Sequence, residues 1–266
     1  MLDVLRMADL TRAADGVDPL DEATRLAVRN HPDETTVWGD VRGFGLLVGE
    51  ELSLVVLPHQ RGTGLGRRLL LQAPAEAVSA WSHGDHPAAR ALAASHGWAR
   101  ARELWVMHRP AARPLPAWSV PEGIELRGFR PGDEEELLRV NAAAFAHHPE
   151  QGSLTRAGLE ERMAEPWFSA DGLLTAWSGD RLMAFHWTKQ HSPASGEVYV
   201  VGVSPDAQGR GLGRLVTLAG LDHLASLGVE DVHLYVESDN AAAVALYSGL
   251  GFTHTPADTH VQYRRD

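Results

Sequence analysis

The stretch from Glu197 to Arg214 constrains the fold more than any other part of the chain. Its first seven residues, E-V-Y-V-V-G-V, contain five β-forming residues and one charge, which is typical of a mostly buried strand. The strand ends at Ser204-Pro205, and three glycines then lead into a segment whose apolar residues recur at helical spacing. The sequence therefore predicts a strand, a glycine-rich turn and a helix in direct succession.

The glycine-rich turn is suited to an anion. Glycines lack Cβ, so backbone N–H groups can crowd around a phosphate, and the start of the helix adds the positive end of its dipole. A Walker loop is excluded because it would end in Gly-Lys-Ser/Thr, and the only lysine, Lys189, lies elsewhere. The spacing of two between Gly209, Gly211 and Gly213 excludes the dinucleotide fingerprint as well. We therefore predict that the turn binds phosphate with the help of Arg210 and Arg214. The alternative is a turn with a purely structural role.

The same turn occurs a second time. Val56-x-Pro58 followed by R-G-T-G-L-G-R matches Val203-x-Pro205 followed by Q-G-R-G-L-G-R, at an offset of 147 positions. A second match follows in the same order, between A-A-R-A-L-A-A-S-H-G-W ending at Trp98 and A-A-V-A-L-Y-S-G-L-G-F ending at Phe252. Two matches in one order are poorly explained by chance, so the chain is predicted to be a tandem duplication.

A proline-rich stretch predicts the boundary between the copies. Four prolines between Arg109 and Gly123 favour an extended spacer over a helix. We assign residues 1–110 to a trimmed, non-catalytic first domain, 111–123 to the linker and 124–266 to a fuller second domain.

Strands and helices alternate in both copies. In the first, a helix is predicted over 20–28 and strands over 51–57 and 78–83. In the second, we expect a helix capped by Asp133 and another from Asn240 to Leu250. The strands predicted there cover 124–127, 173–177, 181–188, 197–203, 232–237 and 260–264. The fold class is therefore α/β, with a mixed sheet in each of two tandem domains.

Composition excludes several classes of protein. A net charge of −11 argues against a general nucleic-acid or anionic-membrane binder, which needs a basic face. The absence of cysteine excludes disulfides, thiolate zinc sites and an acyl-cysteine intermediate. No metal site is predicted, because His147-His148 and His186 lack further ligands at suitable spacing. With no bilayer-length apolar run and no signal-peptide pattern, we expect a cytoplasmic protein, and we expect it to be a monomer.

The loop Gln208-x-x-Gly211-x-Gly213 after a strand resembles the acetyl-CoA pyrophosphate loop of the GNAT N-acetyltransferases. Downstream, L-Y-V-E-S-D-N-A-A-A-V-A-L-Y-S-G-L-G-F resembles the closing half of a GNAT domain. The resemblance implies that Tyr247 stands by the sulfur of coenzyme A and donates a proton to the departing thiolate. The alternative for Tyr247 is an ordinary half-buried aromatic, and Asn240 has a plain role as a helix N-cap. The first copy has Ala93 and His86 at these two places, which predicts that catalysis belongs to the second copy.

Glu197 opens the central strand of the second copy. One interpretation is that Glu197 is a solvated residue at the end of a strand. The GNAT resemblance implies instead that it is a base that takes a proton from the attacking amine, directly or through water. A backbone N–H near Val201 to Val203 is the natural donor to the thioester carbonyl as charge develops there. With no cysteine available, direct attack of the amine on acetyl-CoA is favoured over a covalent enzyme intermediate.

Longer motifs narrow the resemblance. N-A-A-A-F-A-H-H-P-E-Q-G, F-H-W-T-K, G-E-V-Y-V-V-G-V and L-Y-V-E-S-D-N-A-A-A-V resemble the mycothiol synthase family, whose members acetylate the cysteinyl amine of cysteinyl-glucosaminyl-inositol. The resemblance implies that the substrate, a small thiol-amine, meets Glu22, Glu150, Lys189, Glu197 and Tyr235. It implies acetyl-CoA contacts at Val201, Gly202, Val203, Gln208, Gly209, Arg210, Gly211, Leu212, Gly213, Arg214 and Asn240. A second acetyl-CoA would meet Val55, Val56, Leu57, Arg61, Gly62, Thr63, Gly64, Leu65 and Gly66 of the first copy.

Two other functions fit the same motifs. One is a tandem GNAT enzyme that acetylates a protein N-terminus or another small amine. The other is a non-catalytic acetyl-CoA sensor, with one copy that binds and one that signals. Turnover separates the sensor from the enzymes, and a panel of acceptors separates the enzymes from each other.

Overall fold

The structure is a computed structural model that describes residues 2–146 and 151–265. The described chain forms two compact units. Unit 1 contains residues 2–105, 237–239 and 255–265, and unit 2 contains residues 106–146, 151–236 and 240–254. Within the described ranges, no helix combines the length and apolar character needed to cross a bilayer.

Unit 1 is a mixed sheet with four helices. The helices are α1 (Val4–Asp15), α2 (Glu22–Asn30), α3 (Leu65–Leu71) and α4 (Pro87–Ser95). The strands are β1 (Thr35–Asp40), β2 (Gly43–Val48), β3 (Glu51–Val56), β4 (Ser79–Ser82) and parts of β5 (Ala99–Pro110) and β11 (Thr253–Arg264), in the order β1-β2-β3-β4-β11-β5. Helix α1 packs through Val4 and Met7 against Phe44 and Val55 of β2 and β3. This packing buries the apolar face of α1, and Asp15 at the end of α1 binds Arg61 at the start of the first glycine loop.

Unit 2 contains strands in mixed pairing, with helices packed on both of their faces. Its helices are α5 (Glu134–Ala144), α6 (Arg156–Met163), α7 (Leu212–Ser226) and α8 (Ala241–Gly249). Its strands follow the order β5-β10-β9-β8-β7-β6, with β6 (Glu125–Gly128), β7 (Leu173–Ser178), β8 (Arg181–Ser192), β9 (Ser195–Val203) and β10 (Asp231–Glu237). One cluster joins Leu137 and Val140 of α5 to Trp187 of β8, and another joins Leu215 and Val216 of α7 to Ala184. The two clusters place β8 and β9 in the middle of the unit.

The predicted elements are largely present. The first predicted strand after the loop lies at Ser79–Ser82, and residues 111–123 contain neither helix nor strand, as expected of a spacer. Helices α1 and α6 and strands β1, β2 and β5 were not predicted. Asp133 is the N-cap residue of α5, as predicted, but its carboxylate makes no capping hydrogen bond and accepts from Arg127 and from the N–H of Arg130 instead.

The compact units do not follow chain order. Most of the C-terminal strand lies in unit 1, although the repeat assigns it to the second copy. A β-strand is held by whichever neighbours pair with it, and β11 pairs in antiparallel register with β4, from Val261↔Ser82 to Arg264↔Ser79. The assignment of residues 1–110, 111–123 and 124–266 to two functional domains and a linker stays a prediction.

Candidate active site

The second glycine loop has the backbone that an anion site requires. Gly209 and Gly211 adopt left-handed conformations, with φ of 75° and 76°, which favour residues without Cβ. Gly211 is also the N-cap of α7, a helix of 15 residues, and no side chain caps its first N–H groups. The turn therefore presents open N–H groups and the positive end of a long helix to the same place.

Two arginines add charge to this loop. Arg210 and Arg214 are exposed, and among the residues that the structure describes no ion pair holds either side chain. Gly213 packs closely as well, because a Cβ there would lie 3.2 Å from Cγ2 of Val203. The loop is consequently tight against β9 and positively charged on its outer side.

Strands β9 and β10 separate before they end. Their parallel register runs from Asp231↔Ser195 to Leu234↔Val198, whereas β9 continues to Val203 and β10 to Glu237. On its other side β9 remains paired with β8 through His186↔Val201, Phe185↔Gly202 and Ala184↔Val203. Because alternate N–H groups of such a strand face away from its antiparallel partner, part of the 199–203 backbone faces the gap. The gap leads from Glu197 toward the glycine loop.

Glu197 lies at the closed end of this gap and is 6% exposed. Its Oε2 lies 2.5 Å from Nε2 of His191 and 3.8 Å from Nε2 of His233. Burial alone would raise the pKa of the Glu197 carboxyl, but the His191 hydrogen bond and electrostatic interaction with His233, His191 and Lys189 outweigh it and lower the pKa. Glu197 is therefore a buried carboxylate that stays ionised at neutral pH.

Lys189 is the register partner of Glu197 on β8 and is buried. Its Nζ lies 4.4 Å from the ring centre of Trp167 and 5.1 Å from that of Tyr199, both within range of a cation–π contact. The Tyr199 hydroxyl in turn accepts a hydrogen bond of 3.1 Å from Nε of Arg162. The pairing of β8 with β9 shifts its register next to Tyr199, between Trp187 and Thr188. Tyr199 lies two residues after Glu197 on β9, so the two side chains share one face of the strand.

Tyr247 lies on α8 and packs edge-on against Phe252, with ring centres 5.9 Å apart. Burial raises its pKa to about 12, so the hydroxyl remains a proton donor at neutral pH. Asn240 caps α8, since its Oδ1 accepts from the N–H of Ala243 at 3.1 Å. The predicted capping role of Asn240 is confirmed.

The first glycine loop repeats this backbone in unit 1. Gly62 and Gly64 are left-handed, with φ of 73° and 80°. A cavity of about 670 Å³ opens beside the loop and is lined by several residues predicted for a second acetyl-CoA, namely Val55, Val56, Arg61, Gly62, Gly64, Leu65 and Gly66. Arg61 is tied to Asp15, with Nη2 2.6 Å from Oδ2. At the places of Asn240 and Tyr247 stand His86, which caps α4, and Ala93.

Comparison with known proteins identifies the family. The model of the acetyltransferase (GNAT) family matches residues 141–252. A mycothiol acetyltransferase of Nocardioides sp. is 57% identical over 284 residues, which cover 98% of this chain and 96% of that protein. A mycothiol acetyltransferase of Thermobispora bispora is 48% identical over 289 residues, covering 98% and 95%. The chain belongs to the mycothiol acetyltransferase family. It is accordingly an acyltransferase with a GNAT fold, and GNAT acetyltransferases take their acetyl group from acetyl-CoA.

Solved structures support the fold of this mycothiol acetyltransferase family member. A GCN5-related N-acetyltransferase from Sphaerobacter thermophilus superposes with a TM-score of 0.70 at 24% identity, over 98% of this chain and 91% of that one. A tandem GNAT protein from the clavulanic acid biosynthesis pathway gives 0.69 at 21% identity, over 97% and 92%. The prediction of a tandem GNAT architecture is confirmed at the level of the fold.

The predicted site residues fall into three groups in this family member. Glu197, Lys189 and the second loop belong to unit 2, where Tyr235 is 44% exposed and its ring lies 5.7 Å from that of His233. Glu22 opens α2 in unit 1, so its contact with substrate stays a prediction. Glu150 lies outside the described residues, as do His147 and His148.

Four side chains beside Glu197 and Lys189 were missed by sequence reasoning: His191, His233, Tyr199 and Arg162. Tyr199 and His191 carry a signal in the sequence, since they lie two residues after Glu197 and Lys189, respectively, each on one strand. His233 comes from a strand more than thirty positions away. His186 is fully buried, with a pKa lowered to about 4 by burial, and its Nδ1 lies 3.0 Å from the Val216 carbonyl, which is a packing role.

Proposed function

We propose that unit 2 transfers the acetyl group of acetyl-CoA to the cysteinyl amine of cysteinyl-glucosaminyl-inositol, the last step of mycothiol biosynthesis. The observation that carries the proposal is the separation of β9 from β10 beyond Val198, with Glu197 at one end and the glycine loop at the other. An extended thioester cofactor needs such a slot, in which its phosphates and its reactive carbon are held by one strand and the helix that follows.

Acetyl-CoA is proposed to bind along this slot. The pyrophosphate would accept hydrogen bonds from the loop N–H groups, with Arg210 and Arg214 as counter-charges. The backbone of Val201 to Val203 would hold the thioester end, and an N–H there would stabilise the oxyanion. The proposed contact residues are Val201, Gly202, Val203, Gln208, Gly209, Arg210, Gly211, Leu212, Gly213, Arg214 and Asn240.

Glu197 is proposed to prepare the nucleophile. An alkylammonium cannot attack a thioester until it loses a proton, and the ionised Glu197 carboxylate can accept that proton directly or through a water. The lowered pKa makes Glu197 a modest base, but it ensures that the carboxylate is available at neutral pH. Reaction then proceeds by direct attack of the amine on the thioester carbonyl.

Tyr247 is proposed to assist the leaving group. When the tetrahedral intermediate collapses, the C–S bond breaks and the Tyr247 hydroxyl donates to the thiolate sulfur. The amine nitrogen, acidic in the intermediate, loses its second proton and restores the protonated tyrosine. The ammonium thus gives up two protons in total, one to the thiol of coenzyme A and one through Glu197 to solvent.

The substrate is polar, and its proposed partners are polar too. Lys189 and Tyr235 offer hydrogen-bond donors to sugar and inositol hydroxyls, and Glu22 and Glu150 offer carboxylate acceptors. The rings of Trp167 and Tyr199 hold the Lys189 ammonium, which favours one fixed direction for its donors. These assignments follow the family resemblance and the placement of Lys189 beside Glu197.

A second acetyl-CoA is proposed to occupy the cavity of unit 1. The cavity of about 670 Å³ lies beside the repeated loop, and its size is within the range of cofactor sites. The proposed contacts are Val55, Val56, Leu57, Arg61, Gly62, Thr63, Gly64, Leu65 and Gly66. Ala93 in place of tyrosine means that this site would bind without catalysing transfer.

The test is a comparison of acceptors. Purified protein is incubated with acetyl-CoA and either cysteinyl-glucosaminyl-inositol, glucosaminyl-inositol or a peptide with a free N-terminus, and products are identified by mass spectrometry. We expect N-acetylation of the cysteinyl compound alone, with its thiol still free in a disulfide-exchange assay. Faster transfer to the peptide would overturn the substrate assignment, and no transfer to any acceptor would overturn the catalytic one. Calorimetry with acetyl-CoA should give two equivalents per chain.

A further inference from the structure

Three side chains of unit 2 bring metal-ligating atoms together. His191, Glu197 and His233 each offer one ligand atom, and these atoms all lie within 4.8 Å of one another. Two imidazoles and one carboxylate form a ligand set that suits Zn²⁺ and leaves a fourth tetrahedral position open. Neither histidine is needed for the acetyl transfer proposed above.

The three ligands come from three adjacent strands. His233 on β10 and Glu197 on β9 are register partners, and β8, which carries His191, pairs with β9 on its other side. Side chains of register partners point to the same face of a sheet. The sheet therefore places Glu197 and His233 side by side, and His191 lies near the end of β8, where its register with β9 shifts between Gln190 and Ser192.

We propose that His191, Glu197 and His233 bind a divalent cation of the zinc class, and that this cation inhibits acetyl transfer by occupying Glu197. Zinc bonds of about 2.0–2.1 Å place tetrahedral donor atoms about 3.3 Å apart. The present separations from Oε2 of Glu197, 2.5 Å to His191 and 3.8 Å to His233, lie within about 1 Å of that value, and no pair of ligand atoms in the cluster is more than 4.8 Å apart. The partly exposed His191 side chain has the freedom to move.

The charges around the cluster act in both directions. Lys189 lies close enough to lower the pKa of Glu197, and this ammonium also repels a cation. On the other side, Asp231 lies near His233 and binds His108, with Oδ2 2.9 Å from Nδ1, so its carboxylate favours a cation. His108 and His233 have ring centres 5.9 Å apart. Removal of the lysine charge should consequently tighten metal binding.

The test measures metal binding without substrate, so it is independent of the acetyl acceptor. The chelator-treated full-length protein is titrated with Zn²⁺ by calorimetry and with Co²⁺ by visible absorption. We expect one strong site per chain and the intense bands of tetrahedral Co²⁺. His191→Gln and His233→Gln should each weaken Zn²⁺ binding at least tenfold, Lys189→Met should strengthen it several-fold, and His31→Gln, an exposed histidine in unit 1, should leave it unchanged.

Several results would overturn the proposal. One is equal Zn²⁺ affinity in His233→Gln and the wild type, and another is a set of Co²⁺ bands that survives both His191→Gln and His233→Gln. A third is an equal loss of Zn²⁺ affinity in His31→Gln, which would mean adventitious binding at the surface. A parallel assay with the acetyl acceptor checks the functional half. Zn²⁺ should inhibit at the concentrations at which it binds, and a chelator should restore the rate. If Zn²⁺ binds but does not inhibit, the metal site stands and its proposed effect on acetyl transfer is refuted.

Discussion

The two glycine loops have the same backbone but different surroundings. Gly62 and Gly64 in unit 1 match Gly209 and Gly211 in unit 2 within a few degrees of φ. The first loop opens a helix of 7 residues, whereas the second opens one of 15. A motif thus determines a local conformation, and the side chains brought around it determine what that conformation is used for.

The charged neighbours differ most. Arg61 of the first loop is neutralised by Asp15, while its counterpart in the second loop is the uncharged Gln208, and Arg210 replaces Thr63. Glu197 and Glu50 occupy equivalent positions 147 residues apart, yet Glu197 is buried with two imidazoles and Glu50 is exposed in a turn. At this position the two copies differ in environment and not in residue type, whereas at Tyr247 and Ala93 they differ in residue type.

The largest expected effect comes from Glu197→Gln. Loss of the proton acceptor should lower kcat by about 10³-fold with little change in acetyl-CoA affinity, because general-base catalysis is typically worth 10²–10⁴-fold. Since the pKa of Glu197 is lowered, wild-type activity should persist at pH 5. Glu50→Gln is the matched control and should keep the wild-type kcat. If kcat falls equally in both variants, the glutamates of the two copies do not differ in their contribution to catalysis.

Tyr247→Phe should lower kcat by about 10²-fold, because the departing thiolate loses its donor. Its pKa of about 12 predicts that the variant and wild type differ by a constant factor between pH 7 and pH 10. An acetyl thioester whose thiol is more acidic than that of coenzyme A needs less help from a proton donor. With this donor, the difference in kcat between Tyr247→Phe and the wild type should be smaller. If the ratio of variant to wild-type rates is the same for both donors, Tyr247 acts only through packing.

Gly211→Ala and Gly64→Ala compare the loops directly. Each alanine is forced to a left-handed conformation at a cost of about 1 kcal/mol, so both variants should lose similar thermal stability. Only Gly211→Ala should raise the KM for acetyl-CoA, by about fivefold. Gly64→Ala should instead weaken the second equivalent of acetyl-CoA in calorimetry. A KM effect of Gly64→Ala equal to that of Gly211→Ala would contradict this division of roles.

The smallest expected effect comes from Asp15→Asn, which releases Arg61 toward the cavity. We expect about threefold tighter binding of the second acetyl-CoA, in keeping with the modest energy of partly exposed ion pairs. Asp40→Asn breaks a comparable pair with Arg42 away from the cavity and serves as the control. The Arg61 hydrogen bond lowers the pKa of Asp15, so the wild-type pair persists at pH 5 and is lost only below about pH 4. Tighter binding in both variants would indicate a general charge effect.

Particular residues show how far sequence reasoning reached. The spacing of Gly209, Gly211 and Gly213 predicted the turn, because left-handed backbone is a local property that glycine satisfies alone. Helix α1 was missed because nothing upstream of the loop marked it in the repeat, and β1 and β2 were missed for the same reason. Local preference correctly predicted Asp133 as the N-cap position, but not that its carboxylate would pair with Arg127 instead of the first N–H groups of the helix.

The sequence by itself identified the duplicated loop, the family, and Glu197 and Tyr247 as candidate catalytic residues. Each of these follows from a short motif whose residues lie close together along the chain. Only the tertiary structure decided that His191 and His233 meet at Glu197 and that β11 pairs with β4, since contacts between distant strands are set by sheet register. It also decided that β9 and β10 separate beyond Val198. That gap is a property of two strands together, and neither strand alone records it.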